Sequence, residues 1–399
     1  MLRSPPALAR FVRRLPVPAR LAAAAGGART SPGAAPPAAG TNGHPGLDKR
    51  AEAVGRIYRE LLQREVDEPG ARHWARAMDG GMSPVDIAIS IARSEEYTNR
   101  IAAERFFLPN LCELRPESYQ VVSVNAADDA LKVFRALGPE DFNWLEHAIL
   151  EHGYYNKPGI WMNEINLDKR VMAEIIALFS PRHPLELGCS TGGVLRCLLD
   201  HGVHGEGLEI SARAKRDAFP EVRDAIHLGD LLTAELPAPY DLVFGLDVFE
   251  HLNPNRLAEY LHALRAVLEP SGWLFCNIPA FGPDAIFGEV FPLYLPSWAE
   301  DAAAGRLFAD LHVDAEGYPM HGHLIWASTD WWVGQFESAG FHRQAAVEGA
   351  IHQRYDRFLE ANAASRKSFY VFSPNRSPDV DAVVRHITEH PSLVLAEVP

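Results

Sequence analysis

Cysteine is scarce. There are 4 in 399 residues, Cys112, Cys189, Cys197 and Cys276, and no two are spaced as C-x-x-C. That excludes a disulfide framework and a cysteine-bound zinc site, and it fits a reducing compartment, so a cytoplasmic location is expected. Basic charge is also short. Acids outnumber lysines and arginines by 52 to 38, a formal net charge of −14, so the basic face that a nucleic-acid partner needs is missing. No apolar run reaches the length of a membrane-spanning helix, so no transmembrane segment is expected. Apolar residues, by contrast, make up 47% of the chain, enough for a substantial core and two or three domains.

Residues 1–46 differ from the rest. They are rich in Ala, Pro and Gly and carry Arg3, Arg10, Arg13, Arg14, Arg20 and Arg29 with no acid before Asp48. This composition reads as a disordered basic tail, and it also has the Arg-rich, acid-poor character of a targeting peptide. Pro16 and Pro18 interrupt any surface helix around Leu8 to Leu21. From 47 to 103 the pattern turns helical. Val54, Ile57, Tyr58, Leu61 and Leu62 share one face, and Asp67 caps a helix begun by Glu68-Pro69. Gly80-Gly81 ends that helix, and Ser83-Pro84 opens the next. Residues 104–160 read as a helical connector or lid. Leu131, Val133, Phe134 and Leu137 would form one helical face, and Tyr154, Tyr155 and Trp161 are candidate lid residues.

The stretch Pro184-Leu185-Glu186-Leu187-Gly188-Cys189-Ser190-Thr191-Gly192-Gly193 reads as a buried strand, a glycine-rich turn and the start of a helix. Gly205 to Ile210 reads as a second strand ending in Glu209, an acid about 20 residues after the first glycine, where a carboxylate can accept both ribose hydroxyls of a nucleoside. Ala225 to Asp230, Tyr240 to Leu252 and Ser271 to Pro279 supply three more strands. Phe341 to Glu348 and Lys367 to Pro374 would close the sheet. Between Pro279 and Trp326 lies an irregular segment rich in aromatics, with Phe281, Phe287, Phe291, Tyr294, Trp298 and Tyr318, which reads as a substrate cap. Ser328 or Thr329 would cap the helix from Asp330 to Ala339.

These motifs, in this order, resemble the class I S-adenosylmethionine-dependent methyltransferases over roughly residues 160–375. The resemblance implies a Rossmann-like, doubly wound seven-stranded sheet preceded by a small all-α domain. It implies S-adenosyl-L-methionine as cofactor, held by the loop residues Glu186, Gly188, Ser190 and Gly192, with Ser190 standing where the family has a glycine. Glu209 and Ile210 would meet the ribose, Asp230 and Leu231 the adenine, and Asp247 and Val248 the methyl side. The spacing of Gly188, Ser190 and Gly193 does not suit a nicotinamide enzyme. For a hydroxyl acceptor the domain needs a base, and His251, then His321 and His323, are the candidates. No ligand spacing marks a metal site, so none is assigned.

Residues 47–103 resemble a small helical domain of unknown function found in many bacterial proteins, through Tyr58 to Glu65, Asp67 to Gly70, His73-Trp74 and Ser94 to Tyr97. In that family the module accompanies secreted proteins and enzymes of surface-glycan assembly, which implies docking to a protein partner. The domains expected are therefore a tail (1–46), a helical association domain (47–103), a connector (104–160), the methyltransferase domain (161–375, with a cap at about 280–326) and a C-terminal tail (376–399). The function implied is methyl transfer to a hydroxyl of a glycan or small molecule. N-methylation of an amino sugar or small molecule, or a non-catalytic scaffold acting through the helical domain, are the alternatives.

Overall fold

The computed structural model describes residues 45–62, 64–94, 96–97, 107–124, 130–157, 164–375 and 378–397. The basic tail up to residue 44, Trp161 and the end of the helical module from 98 to 103 lie outside the described residues. The chain divides into two compact units, Met1–Ile89 and Ser90–Pro399.

The first unit is helical: Pro45–Ile57, a π-helical turn Tyr58–Leu62, Glu68–Asp79 and the start of Pro84–Ala92. Asp67 caps the third of these by accepting the Gly70 amide at 2.7 Å. Val54, Tyr58, Leu62 and Ile87 form the buried face, and Trp74 Nε1 donates to the Tyr58 hydroxyl at 2.9 Å.

The second unit is built on a seven-stranded sheet. Its strands are β3 (Pro184–Leu187), β4 (Glu206–Glu209), β5 (Ile226–Leu228), β6 (Tyr240–Leu246), β7 (Leu268–Asn277), β11 (His342–Arg343) and β12 (Phe369–Ser373), in the order β11-β12-β7-β6-β3-β4-β5. Strands β5, β4, β3, β6 and β7 are parallel; β12 alone runs against them, and the short β11, antiparallel to β12, points their way again. Parallel strands with both faces covered read as continuous apolar runs, and Leu242, Val243 and Phe244 of β6 are all fully buried. From β3 the order runs outward through β4 and β5 in one direction and through β6 and β7 in the other. The carboxyl ends of β3 and β6 therefore open a crevice at a topological switch point. The doubly wound sheet expected from sequence is present, with a helical region before it.

Three local expectations change. Leu131, Val133, Phe134 and Leu137 share no helical face: Ala130–Arg135 is a strand (β2) that pairs with β1 (Tyr119–Ser123) and with β10 (Asp310–His312). Val133 and Phe134 are both fully buried, whereas Leu137 is 84% exposed. The segment 280–326 is no open loop. It carries a hairpin of β8 (Pro283–Asp284) and β9 (Gly288–Glu289), a helix Pro296–Ala303 and β10. Through β10 it is one antiparallel sheet with residues of the connector. Its aromatics are spent on one another: Phe281, Phe291, Trp298, Phe308 and Trp326 are buried, and Trp298 stacks on Phe308 at 5.0 Å. Finally, Phe341 to Glu348 is a strand only at His342–Arg343. An 18-residue helix, Ala345–Asn362, follows, with Val347, Ile351, Tyr355, Phe358 and Leu359 packed into the core.

Candidate active site

The loop after β3 turns on three left-handed residues, Gly188 (φ 60°), Ser190 (φ 53°) and Gly192 (φ 75°). Gly188 admits no side chain, because a Cβ there would come within 2.6 Å of Val248 Cγ2. Ser190 adopts the angle that a glycine would take freely, at a cost of about 1–2 kcal/mol. In that conformation its amide donates to Glu209 Oε2 at 2.8 Å. Glu209 ends β4, is 2% exposed, and accepts the Ser211 amide on its other oxygen at 2.7 Å. Burial raises its pKa from the usual carboxylate value, and these backbone donors oppose the rise. Ile210, next in the chain, is 56% exposed at the edge of the crevice.

Glu186, in β3 itself, is buried, and its Oε2 has no hydrogen-bond partner among the described residues. Burial, aided by the neighbouring Glu209 charge, pushes its pKa up to about 8. Asp230 lies just beyond β5. One of its oxygens accepts the Leu232 amide at 2.8 Å and the other the Tyr260 hydroxyl at 2.6 Å. Tyr260 belongs to the helix Leu257–Val267 that follows β6, so one element positions the acid at the end of another. Leu231 is half-buried beside it.

Asp247, just past β6, is left-handed (φ 54°) and accepts Arg366 Nη1 at 2.6 Å. Arg366 also pairs with Asp168 at 2.7 Å and with the Asn277 side chain. These three residues were not singled out from sequence. Arg366 sits in a short turn before β12 and Asp168 in the first turn of Leu167–Ala177, so no local motif links them; only the fold does.

Beyond Asp247, the chain makes a 3-10 turn, Phe249–His251. His251 Nδ1 lies 3.2 Å from the Tyr155 hydroxyl, and its ring is 4.8 Å from that of His323, edge to face. His323 comes from the opposite side, after a kink at His321 (φ 59°), and the His321 and His323 rings are 5.5 Å apart. Burial holds His251 down at about 4, so it is neutral near pH 7. The same cause lowers His323 well below the usual value. Glu250, one residue before His251, is fully buried, and burial, aided by the Asp247 charge, raises its pKa well above that of an ordinary carboxylate. The three histidines expected from sequence thus meet at one place. Tyr155 joins them, whereas Tyr154 is buried and stacked on Tyr318 at 5.4 Å.

Residues 164–344 match the family model of the methyltransferase domain. This stretch is a methyltransferase domain. S-adenosylmethionine is the cofactor that its motifs imply. Residues 49–101 match a domain of unknown function, DUF4214. No curated protein matches the chain. Among solved structures, a Burkholderia thailandensis 1,6-didemethyltoxoflavin-N1-methyltransferase with bound 1,6-didemethyltoxoflavin and S-adenosylhomocysteine is 14% identical, over 56% of this chain and 89% of that one, at a TM-score of 0.37. An S-adenosylmethionine-bound amino pentose methyltransferase from Micromonospora echinaspora, involved in calicheamicin biosynthesis, is 18% identical over 57% and 97%, at 0.34. Within this methyltransferase domain the donor set fits the cofactor's chemistry. Three carboxylates, Glu186, Glu209 and Asp230, stand in or just past adjacent parallel strands, one of them with an orphaned buried oxygen, where a cationic nucleoside needs acceptors.

Proposed function

We propose that the domain methylates a hydroxyl of a small, hydroxylated acceptor in the crevice between the carboxyl ends of β3 and β6. The observation that carries this reading is the meeting of Tyr155, His251, His321 and His323, with the Asp247 charge acting on His251 and His321. Glu209 would hold the ribose, its two oxygens already oriented by the Ser190 and Ser211 amides. Asp230, steadied by Tyr260, would accept from the adenine amino group, with Leu231 and the exposed Ile210 against the rings. Gly188, Gly192 and Val248 would let the loop close on the ligand, and Glu186 would face its ammonium end. When bound, S-adenosylmethionine supplies a methyl carbon made electrophilic by the sulfonium charge. The protein's part is alignment, exclusion of water and uptake of the acceptor's proton by the histidine cluster.

The buried aromatics of residues 280–326 give no support to a stacking platform for a sugar, so a glycan acceptor rests only on the company that the helical module keeps in other proteins. In that reading the module docks a protein partner. The test is transfer of labelled methyl from S-adenosylmethionine to panels of hydroxylated and amino acceptors, by the intact chain and by Glu209→Ala. Labelled ethers, absent with the variant, support the reading. Labelled amines alone favour N-methylation, and cofactor binding without any transfer favours a scaffold.

A further inference from the structure

Glu250, His251 and His323 have a second property that methyl transfer does not require. Glu250 is fully buried, and neither carboxylate oxygen has a hydrogen-bond partner among the described residues. A buried carboxyl is tolerated when it is neutral or when a cation sits against it. His323 Nε2 is 3.8 Å from Glu250 Oε1, and one ligand atom from each of the three residues lies within 4.8 Å of the others. The Tyr155 hydroxyl engages His251 Nδ1, an outer contact of the kind that fixes a ligating imidazole and leaves its other nitrogen to a metal.

We propose that Glu250, His251 and His323 bind one divalent transition-metal ion. Two imidazoles and one carboxylate suit zinc, iron(II) or manganese(II) better than magnesium or calcium, which favour all-oxygen sites. Bonds of about 2.0–2.2 Å place tetrahedral ligand atoms roughly 3.4 Å apart. The Glu250–His323 pair, at 3.8 Å, then needs to close by about 0.4 Å, and a pair at the full 4.8 Å by about 1.4 Å. The ligands come from two separate segments: His323 follows a turn whose His321 and Gly322 are both left-handed, and Glu250 and His251 sit on the turn after β6. Three protein ligands leave a position open, as in catalytic rather than structural sites.

The ion's role rests on the methyl-transfer reading, but its binding does not. An acceptor oxygen in the open position loses its proton more readily, to water, and His251 is then a ligand rather than the base.

The experiment uses the full chain, stripped of metal by a chelator and titrated calorimetrically with zinc chloride and with manganese chloride. Glu250→Gln, His323→Ala and His390→Ala are run beside it. His390 controls for the competing surface pair it makes with His386 at 3.1 Å. S-adenosylhomocysteine binding is measured on every variant. One ion per chain is expected in the intact protein and in His390→Ala. Affinity should fall more than about 100-fold in the other two, beyond what outer-contact changes cost, with S-adenosylhomocysteine binding kept in all. No metal binding by a chain that still binds S-adenosylhomocysteine overturns the site, as does binding that survives both Glu250→Gln and His323→Ala. Metal binding that follows the expected pattern in a chain that never binds S-adenosylhomocysteine supports the site and sinks the methyl-transfer reading.

Discussion

At the scale of single residues, Glu186 makes the sharpest prediction. Its carboxyl is held near 8 by burial, so in the ligand-free protein at pH 7 it carries a proton. A ligand that brings an ammonium group beside it favours the charged form. Binding of S-adenosylhomocysteine should therefore release a proton, and affinity should rise with pH up to about 8 and level off above. Stability of the free protein runs the other way: a folded pKa raised above the ordinary glutamate value of 4.5 means stability is lost as pH rises from there toward 8. Calorimetry in two buffers of different ionisation enthalpy reads the proton directly. Glu186→Gln should abolish it, and a release that persists in that variant contradicts the assignment. Of the residues at the crevice, those within motifs were legible: Glu209 and Asp230 stood out because each ends or follows a strand run, and Glu186 because it lies inside a strand run just before the glycine-rich turn. Even the departure at Ser190 is accommodated, since the turn holds it at φ 53°.

At the scale of elements, the site depends on contacts between segments remote in sequence. The helix after β6 steadies Asp230 through Tyr260 at 2.6 Å. Tyr260→Phe should weaken S-adenosylhomocysteine binding by about 1 kcal/mol, near fivefold, with little change in Tm. Arg366 ties the start of Leu167–Ala177 to the turn after β6 and to β7. Arg366→Ala leaves Asp168 and Asp247, both part-exposed, without their cation and should cost about 1–2 kcal/mol in urea unfolding. An unchanged midpoint would show that the pairs are solvated and weak. Neither contact follows any spacing rule, which is why Arg366, Asp168 and Tyr260 escaped the sequence reading. The helix Ala345–Asn362 was missed for another reason: its buried residues do recur at helical spacing, but the apolar start at Phe341 was taken for strand. Leu131 to Leu137 failed in the opposite sense, because pairing with β1 and β10 overrode an apparent helical face. The aromatic cap misled because composition cannot say whether rings face a ligand or each other.

At the scale of the whole molecule, the chain is a helical unit and a larger unit that contains the methyltransferase domain. The larger unit has its own core on both faces of the sheet. A fragment spanning residues 90–399 should therefore give a native-like circular dichroism spectrum and bind S-adenosylhomocysteine within about threefold of the full chain. Loss of folding in the fragment would mean the two units are not independent. The seven-stranded sheet was legible as a whole because parallel strands leave strong apolar runs, and their acids fall at one edge by topology alone. The acceptor is not legible in the same way, since the groups that face it come from separate turns.

The central claim is that the acids in and just past β3, β4 and β5 form a nucleoside site. The most direct measurement is calorimetric titration of the full chain with S-adenosylhomocysteine, with Glu209→Ala beside it and Glu206→Ala as a control at the other end of the same strand. Micromolar binding by the intact chain and the control, lost in Glu209→Ala, is the result expected. Equal binding by all three, or none by a correctly folded intact chain, would contradict it.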